Sequence, residues 1–312
     1  MSTFLLIHGA WHGAWCWKYL TPLLQDAGHN VITPDLPGHG NDDTPYKKVT
    51  LEKYVQSVCN ELDKLEEPVI LVGHSMGGIV ITETAEQRPD KIRTLVYLTA
   101  FLPQNGESLA SMEERNPHPA VPPNLVPAKN GITATVSDDM VVDLFYHDCP
   151  DEDIAFAKQH LCPQALGLLN TPVTVTDANF GRIPRYFILC TEDRALCLEF
   201  QNEMVNAVPG TKTFSLESSH SPFFSMPDRL ADVLIEIGEG GRVSAYPPNG
   251  FSKLCPSVLW KRSGFLSLRN SVGHNRPAGP QSTPCDSGTV TGASEIRSHL
   301  SDRYPCPVFS ED

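Results

Sequence analysis

Val69-Ile-Leu-Val-Gly-His-Ser-Met-Gly-Gly78 decides the architecture. Four aliphatic residues introduced by Pro68 read as a strand buried on both faces. A Gly-x-Ser-x-Gly segment follows at once, and Met76 to about Gln87, stopped before Pro89, reads as a helix. Such a segment arises by chance in roughly one chain in ten of this length at average composition, so its context carries the reading. A tight strand-to-helix turn needs room that a Cβ at Gly73 or Gly77 would obstruct. The turn lifts the Ser75 hydroxyl to the carboxyl edge of a sheet. The helix start behind it aims free N–H groups at developing negative charge.

Outward from this point the same rhythm repeats. Thr3-Phe-Leu-Leu-Ile7, Asn30-Val-Ile-Thr-Pro34, Arg93 to Leu98, Arg185 to Cys190 and Lys212 to Leu216 read as further strands. Thr50 is placed to cap a helix to about Leu65, because Leu51, Tyr54, Val55, Val58 and Leu62 recur at helical spacing. A last helix is expected from about Pro227 to Ile237. Six strands alternating with helices predict an α/β fold, with a mainly parallel sheet covered on both faces. Residues 103–182 interrupt the rhythm with five prolines between 117 and 127 and then helical stretches such as Asp151–His160. An insertion of that size is too long for an ordinary loop, and it is expected to form a helical cap over an active site.

The chain has 312 residues and a net charge of −13. That balance argues against a nucleic-acid partner, which would call for a basic face. No stretch is apolar enough for a membrane span, and the N-terminus lacks the basic and apolar regions of a secretion signal. Residues 240–312 differ from the rest: they carry a net charge of +3, with 12 Ser, 8 Pro and 8 Gly. That share of Ser, Pro and Gly lies above the roughly 25–30% associated with low-complexity segments. The expected organisation is therefore a domain over 1–239 followed by a low-complexity extension, either a regulatory tail or a non-native one. Nine cysteines at irregular spacing, with no CxxC pair, predict a reduced, cytoplasmic enzyme rather than a zinc or disulfide framework.

A serine nucleophile needs a base, and the base needs an orienting acid. Asp193 lies just past the strand ending at Cys190, and His220 just past the strand ending at Leu216. Both fall at the same sheet edge as Ser75, in the chain order Ser, acid, His. Glu192, one residue nearer its strand, is the rival acid. An oxyanion site needs two backbone N–H groups. Met76, directly after the serine, and Ala10, in the loop after the first strand, are the candidates. Gly9 would let that loop approach the substrate. Trp11 is a candidate lining of the acyl pocket, whereas Trp15 and Trp17 read as core packing. His74, which flanks the serine, joins Gly9 and Trp11 among the substrate-binding candidates, although His74 and His39 also read as structural or pocket-rim residues. His8 and His12 are four apart but lie on a loop without a third ligand, so no metal site is expected. Cys190 reads as a small core residue.

Together, His8-Gly-Ala-Trp-His-Gly-Ala-Trp-Cys-Trp17, Asp35-Leu-Pro-Gly-His-Gly40, Gly73-His-Ser-Met-Gly-Gly78, Leu98-Thr-Ala-Phe-Leu-Pro103, Cys190-Thr-Glu-Asp193 and Ser219-His220 resemble α/β-hydrolases. The likeness is to the plant methylesterase and hydroxynitrile lyase branch and its bacterial esterase relatives, and it covers about residues 3 to 238. The resemblance implies an α/β-hydrolase fold with Ser75 as nucleophile, Asp193 rather than Glu192 as acid, His220 as base, and Ala10 and Met76 as oxyanion donors. It implies no cofactor. Hydroxynitrile lyases of the branch carry Thr after the first-strand His and Lys after the catalytic His; here Gly9 and Ser221 stand at those positions. The expectation is a carboxylesterase for small to medium hydrophobic or aromatic esters, extending to bulky esters such as pyrethroids. The alternatives are a hydroxynitrile lyase or a slow-turnover small-molecule receptor on the same fold. The only partner expected is the small-molecule substrate; the oligomeric state is left open, a homodimer being one option.

Overall fold

The computed structural model describes residues 1–240; the expected extension over 240–312 falls, beyond its first residue, outside the described residues. The chain begins with β1 (Thr3–Ile7), α1 (Leu20–Asp26), β2 (Asn30–Ile32), α2 (Leu51–Asp63), β3 (Val69–Ser75), α3 (Gly77–Gln87) and β4 (Ile92–Ala100). The insertion holds α4 (Leu109–Arg115), β5 (Leu125–Pro127), β6 (Thr133–Val136), α5 (Val141–Phe145), α6 (Asp151–His160) and β7 (Gln164–Ala165). The chain then adds β8 (Arg185–Cys190), α7 (Leu198–Ala207), β9 (Thr211–Leu216), α8 (Pro222–Ser225) and α9 (Pro227–Gly238).

Six strands form one sheet in the order β2-β1-β3-β4-β8-β9, every neighbouring pair parallel. The two-residue period of the strands sorts side chains between two cores. Leu5, Ile7, Leu71, Leu95, Tyr97 and Phe187 face one side, against Tyr54, Val55 and Val58 of α2 and Ile79 and Val80 of α3. Phe4, Leu6, Ile70, Val72, Val96, Leu98 and Ile188 face the other, against Leu20 and Leu24 of α1 and Leu230, Leu234 and Ile237 of α9. Each fully buried aliphatic side chain contributes about 1.5–3 kcal/mol relative to leaving it exposed. These two cores fix where the strand ends lie.

The helix α2 shows the local cause. Thr50 holds an extended backbone, and its hydroxyl accepts from the Lys53 N–H at 3.2 Å, satisfying one of the four unpaired donors of a helix start. Its apolar residues then line one face.

Three differences from the sequence reading have physical causes. β2 ends at Ile32, short of Pro34, which lacks the N–H to continue a ladder. β3 runs on through the expected turn to Ser75, because its pairing with β4 continues to Ser75 opposite Ala100. The insertion holds a three-stranded antiparallel sheet, β5-β6-β7, beside its helices. Those strands are two to four residues long, too short to leave an alternation in the sequence. Among the described residues, no helix is long and apolar enough to cross a membrane.

Candidate active site

Ser75 ends β3 with φ +54°, a left-handed conformation that costs a non-glycine residue on the order of 1–3 kcal/mol. The strand before it and the helix after it hold that geometry. The turn has no room for side chains: a Cβ on Gly73 would lie 2.7 Å from the Gly77 carbonyl oxygen, and one on Gly77 would lie 2.9 Å from the carbonyl oxygens of Ile7 and His8. Among the described residues only two other non-glycine residues have positive φ, Trp11 at +62° and Thr99 at +34°. All three sit in the segments that follow or end β1, β3 and β4.

Asp193 and His220 meet at the same edge, both buried. The Asp193 Oδ2 lies 2.6 Å from His220 Nδ1. The Asp193 Oδ1 accepts the Ala195 and Leu196 N–H groups at 2.7 and 2.9 Å. Thr99 Oγ1 donates to Asp193 Oδ2 at 2.5 Å. The carboxylate therefore has four donors, as a buried charge requires. Glu192 instead points into solvent. The loop carrying His220 is tied to the insertion: Asp148 accepts the Ser219 N–H at 2.8 Å, and Ser219 Oγ donates to the Phe145 carbonyl at 3.2 Å.

His74 lies beside the candidate base. It is fully buried, with Nε2 2.9 Å from the His220 carbonyl oxygen and its ring centroid 4.6 Å from that of His220. The residue preceding Ser75 thus packs on the candidate base. Among the described residues no hydrogen bond joins the Ser75 hydroxyl to His220; catalytic contacts of this kind commonly tighten only with substrate in place.

The loop after β1 lies against the serine, since a Cβ on Gly9 would meet the Ser75 Cβ at 2.8 Å. The Ala10 carbonyl is fixed by His12 Nδ1 at 2.7 Å, and His12 Nε2 accepts the Tyr146 hydroxyl at 2.6 Å. The Trp11 indole N–H donates to the Ala134 carbonyl at 3.0 Å, and the Trp11 carbonyl accepts the Cys162 N–H at 3.0 Å. Tyr146, Ala134 and Cys162 all belong to the insertion. Ala10 and Met76 are buried, and neither N–H has an acceptor among the described residues. Unpaired buried donors are rare.

Four buried histidines surround the site, and burial holds each below the usual imidazole range: His8, His12, His39 and His74, with His12 pushed down to about 3. Mutual repulsion adds to burial for His8, His12 and His74. Their bonds set neutral tautomers. His8 accepts from the Leu36 N–H at 3.0 Å, so its other nitrogen donates to the Gly9 carbonyl at 2.8 Å. His39 lies 3.0 Å from Gln164 Oε1, a further tie between sheet edge and insertion. Among the described residues no three His, Cys, Asp or Glu side chains converge to hold a metal ion. Cys190 is fully buried, and burial pushes its thiol well above the usual range.

A cavity of about 360 Å³ opens beside Trp11. Trp11, Phe145, Val136, Val141 and Leu161 form its apolar wall, and Asp138 and Lys158 add charge. Phe145 links it to the site, stacking on Trp11 at 5.8 Å and lying 5.5 Å from the His220 ring. Sequence reasoning missed Thr99, Phe145, Tyr146 and Asp148. Nothing in the sequence marks the last three, because they become neighbours of the site only when the insertion folds back. Thr99 stands inside the quoted Leu98–Pro103 stretch, but its partner lies 94 residues away.

Residues 4–233 match the alpha/beta hydrolase family. Methylesterase 1 of Arabidopsis thaliana is 32% identical over 253 residues, covering 76% of this chain and 95% of that protein. A solved structure of tomato methylketone synthase I with 2-tridecanone superposes with a TM-score of 0.71 at 28% identity, covering 77% of this chain and 98% of the other. That of a pyrethroid hydrolase superposes with a TM-score of 0.68 at 30% identity, over 77% and 98%; the pyrethroid hydrolase of Sphingobium wenxiniae is 32% identical over 248 residues, covering 77% of this chain and 88% of that protein.

Proposed function

Because this chain belongs to the α/β-hydrolase family and is a carboxylic ester hydrolase acting on small molecules, we propose that Ser75, His220 and Asp193 form its triad. The observation that carries this reading is the buried Asp193–His220 pair beside a serine with φ +54°. His220 Nε2 takes the proton of Ser75 as Oγ bonds to the ester carbonyl carbon. The Ala10 and Met76 N–H groups receive the resulting oxyanion, where preorganised donors act most strongly. The tetrahedral species collapses, breaking the bond to the alcohol, which leaves with the proton from His220. Water then attacks the acyl-enzyme, with His220 again taking and returning the proton, and the carboxylic acid departs.

Residues 103–182 act in this reading as a cap over the site. The apolar wall of Trp11, Phe145, Val136, Val141 and Leu161 suits small to medium hydrophobic or aromatic esters. Bulkier esters are the natural extension, in line with the likeness to a pyrethroid hydrolase. A reducing compartment such as the cytoplasm suits the six free cysteines of the described residues.

The experiment is hydrolysis of p-nitrophenyl acetate and butyrate by the wild type and Ser75→Ala side by side. Turnover is expected to fall by about 10³-fold or more in the variant, with the circular dichroism spectrum and melting curve unchanged. A folded Ser75→Ala protein with wild-type turnover overturns the mechanism.

A further inference from the structure

The pairing of β3 with β4 slips by one residue at the site. His74 stands opposite Leu98, but Ser75 stands opposite Ala100, so Thr99 is the extra residue of a bulge. Thr99 is fully buried with φ +34°. That conformation favours glycine and is least suited to a β-branched residue. A bulge re-aims a side chain, and here the side chain is aimed at the acid: Thr99 Oγ1 donates to Asp193 Oδ2, the oxygen that also faces His220 Nδ1.

We propose that Thr99 is a positioning residue, whose hydroxyl holds the Asp193 carboxylate in the orientation that accepts from His220. The proposal rests on reading Asp193 and His220 as the acid–base pair. The local N–H groups of Ala195 and Leu196 grip only Oδ1. They leave the carboxylate free to turn about that end. Thr99, from a different strand, grips the other oxygen. The bulge and its unfavourable φ are explained by this contact: an unbulged strand would keep its alternation, and the next side chain would not reach the acid. A threonine whose only role was to fill space would gain nothing from a hydroxyl at this point.

The shared oxygen gives the proposal a signature. By donating to Oδ2, Thr99 draws off charge that would otherwise stabilise a protonated His220. The other groups facing His220 are the neutral rings of His74 and His12, the apolar ring of Phe145, and Asp148 through the Ser219 N–H. Arg194, next to Asp193, is turned toward Asp143. Removing the Thr99 hydroxyl leaves all of these in place. It makes Asp193 Oδ2 a stronger partner for a protonated His220 while loosening its aim.

Thr99→Val keeps both β-branches and deletes only the hydroxyl function, whereas Thr99→Ser keeps the hydroxyl. The two are compared with the wild type on p-nitrophenyl butyrate between pH 5 and 9, with melting curves. For Thr99→Val, kcat is expected to fall about tenfold or more, with KM changing by less than about twofold. The acid limb of its pH profile is expected to move up by a few tenths of a pH unit. Thr99→Ser should restore most of kcat and the position of the limb. A wild-type kcat and acid limb in folded Thr99→Val overturns the proposal. So do equal losses in the Val and Ser variants, which would assign the effect to packing. Should Thr99→Val fail to fold, Thr99→Ala carries the same comparison with Thr99→Ser. Ser75→Ala is measured alongside: if it is active, the site reading falls and the Thr99 proposal with it. If it is inactive while Thr99→Val behaves as wild type, only the Thr99 proposal falls.

Discussion

The two ends of the same parallel sheet are built differently. At the carboxyl end, Trp11, Ser75 and Thr99 have positive φ, five histidines and Asp193 are buried, and Thr99, Asp193, His220 and His74 are joined in one hydrogen-bonded network. At the amino end one charge is buried, Arg185, whose guanidinium donates to the Phe180, Gly181, Ile183 and Pro209 carbonyls; its neighbours Arg182 and Arg93 are surface groups. Arg182 pairs with Asp90 where both are exposed, and Arg93 reaches Ser2 Oγ and the Gly238 carbonyl at 2.9 and 3.1 Å. The strands between are the same strands, with the same aliphatic cores. The difference shows where this fold spends its stability: backbone strain and buried histidines are concentrated at one end, and the apolar faces of the sheet carry the cost.

The comparison is broken most severely by reversing one contact at the carboxyl end. Asp193→Asn keeps shape and volume but places an amide where a carboxylate faces His220 Nδ1. The imidazole then adopts the opposite tautomer to make its bond, presenting a proton rather than a lone pair to Ser75. Turnover is expected to drop by about 10⁴-fold, the scale seen when a triad acid becomes an amide. The melting temperature should change far less than activity does. A variant with activity within tenfold of the wild type would mean that the buried network at this end is structural.

The same contrast explains what the sequence disclosed. The strands of the two cores are continuous aliphatic runs, and α2 has a cap and a clear 3.6-residue stripe, so periodicity alone places them. Ser75, Asp193 and His220 could be proposed as one candidate site because each ends or follows a recognisable strand, and parallel strands deliver their ends to one edge. Within the insertion, α6 was legible as Asp151–His160, but the small sheet was not, because β5, β6 and β7 are too short to pattern and are defined by one another. Tyr146 could not be linked to His12 from sequence, since the contact spans 134 residues and crosses from insertion to sheet. Thr99 was hidden for a different reason. A bulge is a pairing property of two strands, and a single strand read alone gives no sign of it.

Acid should sharpen the comparison, because it acts on one end first. His8, His12, His39 and His74 are held below the usual imidazole range in the folded protein by burial, while in the unfolded chain each titrates near about 6.5. The unfolded state therefore binds more protons below that pH, and folding stability is lost as pH falls. The stability these neutral rings supply is present above about pH 6.5 and declines toward the folded value, about 3 for His12. Each such ring removes about 1.4 kcal/mol per pH unit once the unfolded chain is protonated. Melting curves should show a clear drop in melting temperature from pH 7 to pH 5. A melting temperature that is flat across that interval would mean the histidines are solvated in solution.

The smallest expected effect lies at the amino end, and it tests the other half of the contrast. Arg182→Ala removes the exposed partner of Asp90, just before β8 begins. Both side chains are at least half exposed, so water and salt screen the pair, and ordering two mobile side chains offsets much of the attraction. The cost in stability should stay below about 1 kcal/mol. Neither kcat nor the acid limb of the pH profile should move, because among the described residues no hydrogen bond or ion pair joins Arg182 or Asp90 to Asp193 or His220. The measurement is a denaturant titration alongside ester hydrolysis. A loss of turnover at full stability would show that the amino end is coupled to the chemistry through the strands. The division between a strained, functional end and a relaxed one would then fail.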